Sequence, residues 1–277
     1  MKKYVLFDHD GVLVDTELWY FKAGERALAE IGVALDQERY LRDMSQGLGA
    51  WAQARAAGVD EPVIDRQREV RDAYYQEYLR TEAIQIDGVV DALAELSQYV
   101  RMAIVTTAKR ADFDLIHQGR QITGFMDFVL VREDYDRPKP HPEPYLAGLT
   151  RFGASRDETL VVEDSSRGLA SAVAAGIDCA VVRNGFTATQ DLSGATHRID
   201  TLAELASIRA RVKHGDVRFE GVVDQAGCYR RGVPAIPRRP ARVRTCVAQS
   251  CSIRSPACPM SPTWNASAGA TAPRSLR

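Results

Sequence analysis

The sequence predicts an α/β fold in which a mostly parallel sheet, covered by helices on both faces, is interrupted early by an all-helical insertion. Three observations carry that reading. From about Val89 onward, short apolar runs alternate with helical patterns of ten or so residues, the signature of β-α-β units. From about Glu17 to Ala83 the pattern is helical only. Three apolar runs end abruptly on polar groups, Asp8/Asp10, Thr106/Thr107 and Glu163/Asp164, and a parallel sheet would gather these along the edge formed by its strands' carboxyl ends.

The first element, Tyr4 to Phe7, has the pattern of a buried strand. Alternate side chains of an extended strand share a face, so Asp8 and Asp10 start out pointing the same way, and Gly11 lets the chain turn after them. Two close carboxylates repel unless a cation or a shared proton lies between them, which suggests a hard metal or an acid/base pair. The bland alternative is a turn cap. His9, on the opposite face, reads as a packed, hydrogen-bonded core histidine.

Phe21, Gly24, Leu28 and Ile31 recur at helical spacing, with Gly32 as a stop. Asp36 and Asp60 read as helix N-caps, the second followed by Pro62 near a first turn. The long helix from Pro62 to about Arg80 is expected to bury Val63, Val70, Tyr74 and Tyr78. Val89, Leu93 and Leu96 mark the next helix, then come a strand at Met102–Val105, a helix from about Ala111 and a strand at Phe128–Val131. A helix after Pro142, a strand at Thr159–Val162, a helix at Ser165–Ala175 and a strand at Cys179–Val182 complete the pattern. The implied boundaries are 1–16 and 84–213 for the α/β core, 17–83 for the helical cap and 214–277 for a basic tail of low order.

A chain of 277 residues can bury a full core, and its apolar and charged fractions are ordinary for a globular protein. No apolar stretch approaches the roughly 18 residues a membrane span needs. Only Tyr4 to Phe7 separate M-K-K from Asp8, too few for the apolar region of a signal peptide, so a cytoplasmic location is expected. Nine of the 36 Lys/Arg residues and none of the 37 acids fall between 225 and 277, leaving the remainder acidic by about ten charges. That balance argues against nucleic acid as a partner of the folded part. Cys179 lies in an apolar run and reads as inert core, whereas Cys228, Cys246, Cys251 and Cys258 follow no zinc-site spacing. After His214 there is too little periodic apolar surface to offset ordering entropy. The segment also lacks the aromatic interleaving or amphipathic period of a nucleic-acid or membrane binder, and reads as an extension foreign to the fold, such as an altered reading frame.

Arg137 to Pro144 reads R-P-K-P-H-P-E-P. A lysine held between prolines can have its ammonium aimed at low entropic cost, although an exposed proline-rich loop would look the same. Together with D-H-D-G-V-L-V-D at Asp8–Asp15, I-V-T-T at Ile104–Thr107 and V-V-E-D-S at Val161–Ser165, this motif makes the stretch from Lys3 to Asn184 resemble the haloacid dehalogenase-like superfamily. Within it, the likeness is to the helical-cap phosphatases and the β-phosphoglucomutase-like group.

The resemblance implies a Rossmann-like three-layer core and a set of roles. Asp8 would be the nucleophile that forms an aspartyl-phosphate. Asp10 would protonate the leaving alcohol and then activate water. Thr106, by hydroxyl and backbone N–H, and Lys139 would hold the phosphoryl oxygens. Mg²⁺ would sit on Asp8, the Asp10 carbonyl and Asp164, with Glu163 a further ligand or an outer partner. The Lys139-Pro140 bond is expected to be cis. Substrate contacts are expected from Thr106, Thr107 and Lys139 in the core and from Tyr20, Gln46 and Gly47 in the cap. β-Phosphoglucomutases carry a histidine where Tyr20 stands and an arginine where Ala50 stands. The resemblance therefore points to a Mg²⁺-dependent phosphatase acting on a small phosphorylated metabolite, a sugar phosphate or a phosphoglycolate-like ester, with no nucleic acid or membrane as partner. A phosphosugar mutase and a catalytically silent binding protein are the alternatives. Carbon-halide cleavage in the same superfamily lacks the second aspartate, so Asp10 argues for phosphoryl transfer.

Overall fold

Six strands, β1 (Tyr4–Phe7), β2 (Arg101–Val105), β3 (Phe128–Leu130), β4 (Thr159–Glu163), β5 (Asp178–Val182) and β6 (His197–Ile199), form one sheet in the order β3-β2-β1-β4-β5-β6. Every pairing is parallel. The computed structural model describes residues 1–211; the expected basic tail, 214–277, with its four cysteines, lies outside them. The short β6 was not foreseen, because three residues, one of them charged, carry no readable period.

The strand order reverses direction at β1, which has β2 on one side and β4 on the other. Such a switch point opens a crevice at the carboxyl ends of the strands. Phe7 is level with Ile104 and Val162, so Asp8, Thr106 and Glu163/Asp164 emerge beside one another, as their positions at strand ends predicted.

Alternation along the strands sends Val5 and Phe7 into one apolar cluster with Leu93, Ile104, Ile116 and Val162. Leu6 joins the other cluster, with Val105, Tyr145, Val161 and Leu169. These clusters are the two interfaces of a three-layer core.

Four helices, α1 (Glu17–Ala29), α2 (Gln37–Ser45), α3 (Trp51–Ala56) and α4 (Glu61–Thr81), follow β1 and form the insertion. They share a third cluster that includes Phe21, Leu28, Tyr40, Trp51 and Ile64. The remaining helices are α5 (Val89–Leu96), α6 (Arg110–Ile116), α7 (Glu143–Phe152), α8 (Ser166–Ala175) and α9 (Leu205–Arg211). Asp36 caps α2 by accepting from the Arg39 N–H at 2.7 Å. Asp60 stands at the N-cap of α4 without a side-chain cap bond.

The buried stripe of α4 differs from the expected one. Ile64, Gln67, Arg71, Tyr75 and Leu79 face inward, whereas Val63, Val70, Tyr74 and Tyr78 are only half-buried. The inward stripe carries Gln67 and Arg71, and Arg71 lies 4.4 Å from the Tyr20 ring centre and 5.7 Å from that of Trp51. Hydrophobic period alone rejects a stripe with an arginine in it, while an aromatic lining accepts the flat guanidinium. Among the described residues no helix is long and apolar enough to cross a membrane.

Candidate active site

Lys139 is the centre of the constellation. Far from being a solvated loop residue it is 4 % exposed. Its ammonium donates to Asp8 Oδ1 and Glu163 Oε1, both at 2.7 Å, and to the Val105 carbonyl at 2.9 Å. The flanking Lys139-Pro140 bond is cis, as expected. Burial alone would lower the lysine's pKa, but Asp8 and Glu163 outweigh it and hold the side chain protonated.

Glu163 is fully buried and both of its oxygens are taken. Oε1 accepts from Lys139 and from the Tyr145 hydroxyl at 2.5 Å; Oε2 accepts from the Asp164 N–H at 3.1 Å and the Ser165 hydroxyl at 3.2 Å. One oxygen each of Asp8, Glu163 and Asp164 lie within 4.8 Å of one another. Of the three, Glu163 has no oxygen to spare, and its geometry is that of a partner orienting Lys139. Asp164 Oδ2 accepts from Asn184 Nδ2 at 2.7 Å. Asp8 Oδ2, Asp164 Oδ1 and the Asp10 carbonyl receive no hydrogen bond from the described residues. Asp8 and Asp164, each with an open oxygen, form together with Glu163 an acidic cluster that could hold a cation.

Two glycines allow this packing. Gly11 has φ +75°, and a β-carbon there would fall 2.2 Å from Asp164 Oδ2. At Gly168, in the first turn of α8, a β-carbon would fall 1.8 Å from the Glu163 carboxyl.

Asp10 sits beside this cluster. One oxygen accepts from the Thr16 hydroxyl at 2.5 Å; the other lies 3.3 Å from His9 Nδ1 and 3.4 Å from the Thr106 hydroxyl. His9 is fully buried, tilted against Phe113, with its Nε2 2.9 Å from His117 Nε2, the packed histidine that was expected. Burial pushes Asp10 upward, but the His9 imidazole and the Thr16 hydroxyl prevail and hold it below its ordinary value. Asp8 goes the other way, pushed up to about 7 by burial first and then by Glu163. Asp164 is also raised, by burial and by Glu163 and Asp8.

The expected contact from the Thr106 backbone N–H is not available. That N–H donates to the Leu130 carbonyl at 2.9 Å, because the residue still continues the pairing of β2 with β3. The hydroxyl, which accepts from the Ala108 N–H at 2.9 Å, is the part of Thr106 that faces Asp10. Thr107 lines the cavity.

That cavity, of about 120 Å³, is lined at its inner end by Asp8, Asp10, Lys139 and Asp164. The insertion reaches it through Tyr40, Leu41, Met44 and Ser45 of α2. Tyr20 and Gln46 are not in its wall, and neither is Gly47, which stands next to Arg167. Tyr20 is instead packed edge-on against Tyr75, with ring centres 5.0 Å apart.

Sequence reasoning missed Glu17, Tyr145, Arg167 and Asn184. Glu17 lines the cavity, and its carboxyl is pushed up to about 8 by burial and by Asp10 and Asp8. Asn184 had a readable signal: it follows the apolar β5 as a polar residue, much as Asp8, Thr106 and Asp164 follow their strands. Tyr145 and Arg167 lie inside helical patterns, where nothing local separates them from ordinary helix residues.

The family model of haloacid dehalogenase-like hydrolases matches residues 5–182. The N-acetylmuramic acid 6-phosphate phosphatase of Pseudomonas aeruginosa is 31 % identical over 193 residues, 68 % of this chain and 85 % of that protein. The plasmid-encoded protein CbbY of Cupriavidus necator is 30 % identical over 209 residues, 69 % and 82 % of the two chains. The crystal structure of CbbY from Rhodobacter sphaeroides in complex with phosphate shares the fold, with a TM-score of 0.64 at 24 % identity over 74 % of this chain and 96 % of that one. With the four motifs gathered at one sheet edge and a helical insertion after the first strand, the chain belongs to the haloacid dehalogenase-like hydrolases, in the helical-cap group related to CbbY, phosphoglycolate phosphatase and β-phosphoglucomutase.

Proposed function

We propose that this protein is a Mg²⁺-dependent phosphatase that hydrolyses small organic phosphate monoesters through an aspartyl-phosphate on Asp8. The observation that carries the reading is the buried Lys139 ammonium, 2.7 Å from both Asp8 and Glu163, beside an Asp8 oxygen that accepts no hydrogen bond from the described residues. The relatives support it: one is named N-acetylmuramic acid 6-phosphate phosphatase, and CbbY from Rhodobacter sphaeroides has been crystallised with phosphate and, as a mutant, with xylulose 1,5-bisphosphate.

The open donors at the site, Asp8 Oδ2, Asp164 Oδ1 and the Asp10 carbonyl, are all hard oxygens, which fits Mg²⁺ rather than a thiolate- or imidazole-loving metal. When bound, the ion would neutralise the clustered acids, keep Asp8 ionised despite its raised pKa and offset the charge of the phosphate.

The chain's own residues account for the rest. Asp8 Oδ2 attacks phosphorus, forming an O–P bond as the bond to the leaving oxygen breaks. Asp10 gives its proton to that oxygen, so an alcohol departs. Asp10 is held below its ordinary value by His9 and Thr16, so to carry a proton it needs a negative charge beside it, which the substrate phosphate would supply. Asp10 then takes a proton from water, whose oxygen attacks phosphorus and releases Asp8 and inorganic phosphate. The charge of Lys139, whose three N–H groups are held by Asp8, Glu163 and Val105, and the Thr106 hydroxyl offset the charge on the phosphoryl oxygens throughout.

Phosphate release from a panel of sugar phosphates, phosphoglycolate and p-nitrophenyl phosphate is the test. Release is expected with Mg²⁺, is abolished by EDTA and returns on adding Mg²⁺; release from no monoester would overturn the reading. Interconversion of hexose phosphates with a bisphosphate primer, in place of release, would make it a mutase. Asn184→Ala frees the Asp164 carboxylate to rotate, so the Mg²⁺ concentration for half-maximal activity is expected to rise about 10- to 100-fold, as titration of the ion against turnover would show.

A further inference from the structure

Arg167 is the cavity's second cation, and nothing in the mechanism above uses it. Lys139, the first, is saturated by Asp8, Glu163 and Val105. Arg167 donates from Nη2 to the Lys139 carbonyl, which orients the guanidinium, while its Nε is buried without a partner. Four acids line the same cavity, yet among the described residues no carboxylate comes within ion-pair distance of Arg167. A half-buried guanidinium normally finds an acid, since its flat fork matches a carboxylate or a phosphate at two points. Here most of its donors are left over.

The place of Arg167 says what they are for. Behind Asp8 the site is closed by Lys139, Glu163 and Tyr145, all buried, so the leaving group of a bound ester extends away from them, into the part of the cavity walled by α2, Phe186, Thr187 and Arg167. Arg167 stands on that side. A β-carbon on Gly47, in the loop after α2, would lie 3.6 Å from its Cζ. The side chain thus lies between the first turn of α8 and the loop that follows α2, and it shares the cavity wall with Tyr40, Met44 and Ser45 of α2.

We propose that Arg167 is a specificity-determining residue that selects monoesters whose leaving group carries a second anion, a carboxylate or a second phosphate, within a few atoms of the ester oxygen. The proposal rests on the phosphatase reading of the same site. At about 120 Å³ the cavity admits a short leaving group, which puts the two anions close together.

The test compares phosphoglycolate, ethanediol bisphosphate and ethyl phosphate as substrates for the full chain with Mg²⁺. The wild-type protein is expected to favour one or both anionic esters in kcat/KM by about 10- to 100-fold, the range of a charge-assisted bidentate contact. Which of the two is favoured identifies the anion. Arg167→Met is expected to collapse that ratio toward one, mainly through KM, and Arg167→Lys to restore part of it. Equal hydrolysis of all three esters by the wild type would overturn the proposal and leave the phosphatase reading standing; release from none would overturn both. A uniform loss on every ester in Arg167→Met, unrelieved by Arg167→Lys, would show a purely structural residue and also overturn it.

Discussion

Replacing Asp8 by asparagine is expected to lower turnover about 10³- to 10⁵-fold, to the background of the assay, with the fold intact. The amide has nearly the carboxylate's shape and can still accept from Lys139 at the Oδ1 position, but it is a poor nucleophile toward phosphorus. The substitution removes a buried group whose ionisation is already opposed by burial and by Glu163. Melting temperature should therefore hold or rise slightly while phosphate release disappears. A variant that kept full activity would show that the attacking group is another residue.

Gly168→Ala is expected to damage the protein far more than a single methyl suggests, by roughly 3–5 kcal/mol. The new β-carbon would fall 1.8 Å from the Glu163 carboxyl, so that carboxylate must move. Moving it forfeits the bonds from Lys139, Tyr145, Asp164 N–H and Ser165 together, and leaves an ammonium and a carboxylate buried with incomplete partners. Overpacking alone usually costs about 1–3 kcal/mol, and the broken buried pair supplies the remainder. Denaturant unfolding would measure the loss. A change below about 1 kcal/mol would mean that the helix can retreat from the sheet more easily than its packing indicates.

Much of the architecture was readable because its signals are local. Apolar runs ending on Asp8, Thr106 and Asp164 mark strand ends, and alternation with helical patterns marks parallel connections. The period of two correctly assigned His9 to the packed core, but not its contact with Asp10, which arises because the chain has left β1 by then. The face of α4 could not be assigned from its period, because Gln67 and Arg71 are buried for what they meet across the insertion. β6 was too short to carry a period.

By itself, then, the order of residues determined the parallel α/β core, the helical insertion and the meeting of four polar groups at one sheet edge, since each follows from periodicity and from where a strand stops. Only the tertiary structure decided what each group is free to do. It committed the Thr106 N–H to Leu130, filled both oxygens of Glu163, buried Lys139 and left Asp8 Oδ2 and Asp164 Oδ1 open. It also brought Asn184 and Arg167 to the site. The physical reason is distance along the chain: Lys139 and Asp8 are 131 positions apart, and whether a buried oxygen is already hydrogen-bonded depends on such remote neighbours, which no local pattern records.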